Sequence, residues 1–439
     1  MGATPMRLFR NAMEIVMLTR REMLSAAALV GGAALLQGPQ ALAADAATSP
    51  IDYTPVHTPN GLSLPFKTID GVKVFHLIAE EIEHEFMPGL KSHCWGYNGR
   101  TTGPTIEAVE GDRVRIYVTN RLPEATTVHW HGIRVPNGMD GVNGLTQPGI
   151  PPGETFRYEF DLPNAGTYMY HPHLDEMTQQ GMGMMGMFVV HARVGQRVDR
   201  DYCIMLSEWR IIPGTSRPVT TEMVDFNLLT MNSKTYPATE PLVAQLGERV
   251  RIRFGNLSAM DHHPIHLHGF QMFITETDGG IVPPGARYPT NTVLVPVGAT
   301  RAVEFVADNP GDWPMHCHMT HHTMNQMGHD VPNVLGIKTQ GLGKQVKPML
   351  PGFMAMAENG MDDAMQMQQL PNSVSMTGGK GQFGPIDMGG MFTVVKVRKQ
   401  LSGYDDPGDY AFPPGTLASK ATAAELDRDG IDVTLKAKS

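Results

Sequence analysis

The sequence predicts an all-β protein made of two tandem β-sandwich domains, and three observations carry that prediction. Short runs rich in Val, Ile, Tyr and Phe are broken by Gly and Pro turns such as QPGIPPGE (147–154) and VPVGAT (295–300), and no long helical periodicity occurs before residue 330. GDRVRIYVTN (111–120) returns as GERVRIRFGN (247–256), HWHG (129–132) as HLHG (266–269), and HPH (171–173) as HCH (316–318), at offsets of 136, 137 and 145 residues. Similar blocks in one order with small insertions mark a duplicated domain. A chain of 439 residues is also long enough to bury two cores.

In chain order, residues 1–44 come first. TRREMLSAAALVGGAALL (19–36) joins Arg20 and Arg21 to an apolar run, and ALAAD (41–45) follows. This pattern predicts a twin-arginine export signal cleaved near Ala43 or Ala44, because the run is shorter than the ~20 residues that span a bilayer. The mature chain is then expected to be periplasmic or extracytoplasmic, with no membrane span. The first domain covers 67–193 and closes with GMFVV (186–190); ARVGQRVD (192–199) leads into the second, 200–395. There the matching GMFTVV waits until 390–395, because residues 329–387 are inserted after the HCH hairpin. The insertion holds MLPGFMAMAENGMDDAMQMQ (349–368), is rich in Met and is partly helical in propensity; a loop of this length is functional or disordered. The tail, 396–439, is polar and broken by Pro and Gly, and is expected to lie over a neighbouring subunit or stay mobile.

A net charge of −9 argues against nucleic acid as a partner, since a phosphate binder carries a basic face. The counts of 31 Met and 18 His are high, and Met either fills cores or meets soft metals. The Met177, Met182, Met184, Met185 and Met187 group leads into a strand and reads as core. Three cysteines, Cys94, Cys203 and Cys317, are too few for a disulfide framework, and an odd count leaves a thiol free. Cys94 and Cys203 either bridge or stay as buried thiols.

In a strand, the two histidines of H-x-H point to one face and the middle residue to the other. Four such pairs occur: His129 and His131, His171 and His173, His266 and His268, His316 and His318. One pair alone reads as an ordinary surface or core feature, whereas four at matching positions of a duplicate read as metal ligands. Imidazole suits copper, zinc, iron and nickel. The second copy adds Cys317 on the opposite face, with His322, Met327 and His263 near it; a thiolate, two imidazoles and a distant thioether make a blue-copper site. Cys317 then binds one ion while His316 and His318 serve others through the same strand. At the matching positions the first copy has Thr126, Pro172, Met177 and Met182, which leaves only weak thioether ligands. Its mononuclear site is lost while its histidine pairs survive.

Through HWHG, GTYMYHPH, HPIHLHG and DWPMHCHMTHHTMNQM, the sequence resembles the multicopper oxidases over most of residues 95–328. The resemblance implies cupredoxin-like Greek-key domains and four copper ions per subunit. His263, Cys317, His322 and Met327 would hold the type 1 copper, and His129 and His266 the type 2 copper. One type 3 ion would take His131, His171 and His318, and the other His173, His268 and His316. Asp140 matches an acidic residue that the family uses for proton delivery to oxygen, although a turn aspartate before Gly141 would look the same. A reducing substrate would give single electrons to the type 1 copper, and Cys317 and its flanking histidines would carry them to the trinuclear cluster, where O2 becomes water. With two domains instead of three, the chain is similar to the two-domain laccases that carry their mononuclear copper in the second domain. That likeness implies a homotrimer with each cluster at a subunit interface.

The resemblance implies that the substrate would be Cu(I) or a phenolic donor. Met349, Met354, Met356, Met361, Met365 and Met367 lie in the insertion, close in sequence to the type 1 ligands, and thioethers select Cu(I). Methionine-rich segments of this kind resemble those of bacterial cuprous oxidases, so the insertion would act as a copper-handling lid that hinders bulky phenols. Otherwise these methionines only pack a small helical cap. Thr323 stands where many metal-oxidising members carry an acid, which favours a laccase-like oxidase instead. A copper nitrite reductase would place its blue copper in the first domain and lack the eight-histidine cluster; a copper-storage protein would need no oxygen chemistry. His57, His76, His84, His93 and His191 match no ligand position and are expected at the surface or hydrogen-bonded. His262, His321 and His329 lie beside type 1 ligands in sequence without being assigned as ligands.

Overall fold

The computed structural model describes residues 53–195, 197–326, 348–349, 372–375 and 378–434, with the backbone at 333–334 and 354–355. The expected signal at 1–44, the ligand Met327, His329 and most of the insertion lie outside these residues.

After β1 (Val56–His57), the first sandwich is built from β2 (Lys67–Ile69), β3 (Val72–Met87), β4 (Leu90–Tyr97), β5 (Gly103–Val109), β6 (Arg113–Asn120), β7 (His129–His131), β8 (Thr155–Asp161), β9 (Gly166–His171) and β10 (Gly186–His191). One sheet runs β2–β3–β6–β8, with β4 also on β3, and the other β5–β10–β9–β7. The alternation of RVRIYVTN explains the packing: Val114, Ile116 and Val118 of β6 turn inward against Trp130, Phe160 and Phe188, while Arg113, Arg115 and Tyr117 stay at or near the surface.

The second sandwich contains β11 (Arg200–Trp209), β12 (Leu228–Met231), β13 (Leu242–Gln245), β14 (Arg249–Asn256), β15 (His263–Leu267), β16 (Met272–Thr277), β17 (Gly280–Ile281), β18 (Pro289–Thr290), β19 (Thr292–Val295), β20 (Thr300–Val306), β21 (Gly311–Cys317) and a closing strand, Phe392–Arg398. Its sheets run β11–β14–β20–β16–β17 and β13–closing strand–β21–β15–β19. Strand for strand, β3–β6–β8 corresponds to β11–β14–β20, and β5–β10–β9–β7 to β13–closing strand–β21–β15. The duplication extends to side chains. Asn120 bonds the Glu124 and Ile150 carbonyls and the Leu122 amide; Asn256 bonds the Asp261 and Val295 carbonyls and the Ser258 amide in the same way.

A third core cluster joins the sandwiches and is rich in sulfur, with Met169, Met185, Met187, Met205, Cys94 and Cys203 buried together. The expected core role therefore holds for Met182, Met184, Met185 and Met187, all buried, but not for Met177, which is 60% exposed. All three cysteines are free and buried, so no Cys94–Cys203 bridge forms.

Two segments behave differently from expectation. β1 lies before the first domain, yet pairs in parallel with β11 of the second, while the Val56 amide donates to Glu107 of β5 in the first. The tail does not leave its own chain at residue 396. The closing strand continues to Arg398, Tyr404 stacks on His57 at 4.3 Å under the Arg200 guanidinium, and Lys396 pairs with Asp406 at 2.6 Å. Beyond it a short exposed helix spans Ala423–Asp429. In the insertion, Asn333–Val334 and Met354–Ala355 pair as two-residue parallel strands, and no described residue there is helical. Among the described residues no helix is long and apolar enough to cross a membrane.

Candidate metal centres

Strands β7 and β9 are antiparallel neighbours with His129 opposite His171. Trp130 turns into the core and is fully buried, so His129 and His131 share the other, partly exposed face. The four rings of His129, His131, His171 and His173 then gather. His129 lies 5.6, 5.4 and 5.6 Å from the other three by ring centroid, and His131 lies 5.4 Å from His171. The second copy repeats this on β15 and β21, where His266 lies opposite His316. His266 is 4.6, 5.8 and 5.6 Å from His268, His316 and His318, and His268 is 5.3 Å from His316. Each H-x-H-G ends on a glycine in the left-handed region, Gly132 at φ 86° and Gly269 at φ 78°, which turns the chain away below the imidazoles.

Hydrogen bonds to the backbone fix which nitrogen is free in four of the rings. His129 Nδ1 donates to the Asp140 carbonyl at 2.8 Å, and His266 Nδ1 to the Asn291 carbonyl at 2.8 Å. His171 Nδ1 donates to Pro172 O and His316 Nδ1 to Cys317 O, both at 2.9 Å. The Nε2 lone pairs of His171 and His316 are left facing His131 Nδ1 and His268 Nε2, each 3.2 Å away. His131 also bonds the Gly298 backbone. Each facing pair is close enough for a ring N–H to bridge it in the metal-free chain, or for one ion about 2.0–2.1 Å from each nitrogen to take that place. At these four rings burial disfavours the charged imidazolium, which leaves neutral rings able to bind a cation. Burial, then the neighbouring His131 and His129, push His171 down to about 3; burial also lowers His131, His268 and His316.

A third centre lies on the reverse face of β21. Cys317 pairs opposite Ile265 and points into the second core. Its Sγ is 3.4 Å from His322 Nδ1 and 3.9 Å from His263 Nδ1, and those two nitrogens are 3.2 Å apart. The far nitrogens are anchored: His263 Nε2 to Ser258 Oγ at 2.7 Å, and His322 Nε2 to Asp261 Oδ2 at 3.3 Å. Gly390 lets the closing strand pass, since a Cβ there would meet His322 O at 2.3 Å. Burial pushes Cys317 up to about 12 and His263 down to about 3, and outweighs Asp261 in lowering His322. The centre is thus two neutral imidazoles and a thiol that ionises when a cation compensates it, the donor set of a blue-copper site.

In the first sandwich the equivalent space is filled rather than ligating. Thr126 Oγ1 donates to Gln179 Oε1 at 2.7 Å, and Gln179 Nε2 to Ala125 O at 2.8 Å. Gln179 is buried on α1 (Glu176–Gly181), while Met177, expected at that position, turns to solvent. The Asp140 carboxylate lies 3.4 Å from His129 Nδ1. His57, His76, His84 and His191 bond Glu240, Thr119, Ser233 O and Glu107, and His93, His262 and His321 are exposed. Sequence reasoning missed Ser258, Asp261 and Glu176, the last 3.3 Å from His171 Nδ1. For Asp261, a carboxylate two residues before His263 was the one available signal. Among the described residues, every ring contact or hydrogen bond between quartet histidines stays within one quartet.

Two cupredoxin-like sandwiches with histidine quartets and a thiolate centre in the second define a copper oxidase architecture. The chain belongs to the multicopper oxidase family, whose domain profiles match residues 79–195 and 213–334. It is similar to copper resistance protein A of Escherichia coli, 31% identical over 276 residues that make up 51% of this chain and 45% of that one. It is also similar to the multicopper oxidase MmcO of Mycobacterium tuberculosis, 33% identical over 42% of each chain. The chain thus spans about half the length of the curated relatives it matches. The crystal structure of the blue copper oxidase from Nitrosomonas europaea aligns with a TM-score of 0.55 at 27% identity, over 74% of this chain and 85% of that one.

Proposed function

We propose that the protein oxidises a reducing substrate one electron at a time at a type 1 copper held by His263, Cys317, His322 and Met327, and reduces O2 to water at a trinuclear copper cluster. The observation that carries this reading is the placement of Cys317 between His316 and His318, so that one strand offers a thiol to one centre and imidazoles to another. Copper, when bound, supplies the one-electron redox chemistry and the affinity for O2. The chain's own residues supply orientation, dryness and protons. Backbone acceptors hold the quartet rings with Nε2 of His129, His171, His266 and His316 free. The core around Cys317 excludes water, and the Asp140 carboxylate beside His129 can hold a proton for the oxygen chemistry.

We assign four ions per subunit: type 2 on His129 and His266, one type 3 ion on His131, His171 and His318, and the other on His173, His268 and His316. The 3.2 Å pairs His131–His171 and His268–His316 support this division. We infer that the quartets meet between chains, in a homotrimer. His318 is exposed and His266 and His268 are half-exposed in the single chain, as a half-site awaiting its complement would be. Export through Arg20–Arg21 would place the enzyme in the periplasm or another extracytoplasmic space.

The substrate reading is Cu(I). The methionines of 349–367 and the similarity to a copper resistance protein support it. A laccase-like activity on phenols is the second reading, favoured by Thr323, which is buried and bonded to Thr320 O at 2.8 Å in place of an acid. Copper analysis and visible absorbance of the metal-loaded protein test the core reading. Four ions per chain and a blue colour lost in C317S are expected; a colourless protein, or normal O2 consumption by C317S, overturns it. Turnover of Cu(I) and of a bulky phenol, with and without 349–367, separates the substrates. The deletion is expected to lower Cu(I) turnover and raise phenol turnover.

A further inference from the structure

We propose that Glu208 is the positioning residue of the type 1 centre, gripping the loop Leu257–His262 so that Ser258 and Asp261 hold His263 and His322 in ligating orientation. This rests on the reading of His263, Cys317 and His322 as copper ligands. The loop links β14 to β15 and carries both outer partners: Ser258 Oγ at 2.7 Å from His263 Nε2, and Asp261 Oδ2 at 3.3 Å from His322 Nε2. Its own backbone is held by Glu208 of β11, whose Oε1 accepts the amides of Met260 at 2.6 Å and Asp261 at 3.3 Å. Gln180 of α1 adds a bond from the first sandwich to Leu257 O at 3.0 Å. Partners one step behind metal ligands set ring orientation and basicity.

The duplicate supplies an internal control. Leu206 of β11 lies opposite Asn256, as Ala79 of β3 lies opposite Asn120, so Glu208 and Glu81 occupy equivalent positions. The amide of the next loop residue bonds back in both copies, Leu257 to Leu206 O and Arg121 to Ala79 O, and both asparagine clamps are present. These contacts therefore belong to the fold. The carboxylate grip does not: Glu81 is exposed and accepts from Trp95 Nε1 at 3.4 Å, and among the described residues it takes no amide of the loop 121–128. Glu208 is buried. An acid kept in so dry a place, in the one copy that has a thiolate centre, is costly unless it holds something the centre needs. Burial, then the Asp261 carboxyl, raise Glu208, which favours its uncharged form and lowers that cost.

The test is a copper titration of the metal-free full chain, read by the blue thiolate absorbance, for wild type, E208L, E208Q and E81L. E208L is expected to weaken copper at the thiolate centre about tenfold, and to shift or broaden the blue band. E208Q, which keeps an acceptor oxygen for the two amides, should recover most of that loss, and E81L should match wild type. Wild-type affinity and colour in E208L, or an equal change in E81L, overturns the proposal. If E208L fails to fold, E208T, too short to reach either amide, takes its place with the same expected outcome. A colourless wild type would instead overturn the copper assignment beneath it.

Discussion

Neighbouring side chains on β7 illustrate how one strand serves two purposes. Trp130 is fully buried among Tyr158, Phe160, Tyr170 and Phe188, whereas His129 sits on the opposite, partly open face. W130A should therefore cost about 3–5 kcal/mol in denaturant unfolding of the metal-free protein. H129A should cost less than about 1 kcal/mol in the same assay while removing copper from the loaded one. Equal costs would mean that the strand does not alternate as described. At this scale the ligands were legible, because period-two geometry puts both histidines of H-x-H on one face whatever the tertiary setting. Glu208 was not, because it meets its loop across a strand pair, 52 residues away in the chain, and no spacing encodes that. Met177 was misplaced for a related reason: counting six residues past His171 ignores α1, whose turn sends Met177 outward and brings Gln179 in.

Among elements, β1 does more than its two residues suggest. Its pairing with β11 and the bond from Val56 N to Glu107 staple the sandwiches together, and His57 bonds Glu240. Burial alone would raise the Glu107 carboxyl, but bonds from His191, Ser63 and Val56 outweigh it and hold the group below 4.5. A lowered carboxyl stabilises the fold above the ordinary value and loses that contribution as pH falls through the folded one. Wild type should therefore lose stability below about pH 4.5 more steeply than E107Q. E107Q itself should be about 1–3 kcal/mol less stable at pH 7, by urea melts at both pH values. A parallel pH dependence in the two proteins would remove Glu107 from this role. The element was illegible beforehand because two-residue strands carry no periodicity, and β1 pairs with a strand more than a hundred residues on.

For the molecule as a whole, the buried Arg253 ties the domains together. It forms a two-pronged pair with Asp201 at 2.8 and 2.9 Å, and bonds Glu276 at 2.8 Å and Thr167 of β9 at 2.7 Å. R253A would leave the buried Glu276 without its cation and Asp201 with Arg251 alone, and should cost about 3–5 kcal/mol, read by denaturant unfolding of the metal-free chain. The proposed split cluster makes a second prediction. H131A/H171A removes half of one quartet and H268A/H316A half of the other. Each should be inactive alone, yet co-refolded mixtures should regain part of the O2 consumption, because some interfaces would join two intact quartets. No recovery in mixed assemblies of normal mass would place the cluster within one chain.

By itself the sequence determined the β class, the duplication, the histidine quartets and the thiolate centre confined to the second copy. These follow from alternation and repeat spacing, which are local properties of a strand. Only the tertiary structure decided which ring nitrogens are free, that Gln179 fills the first copy's vacant centre, that β1 and the start of the tail lie on the second sandwich, and that Glu208 grips the ligand loop while Glu81 does not. Those outcomes depend on burial and on partners brought together from distant parts of the chain, and desolvation, which sets their energies, has no counterpart in residue spacing.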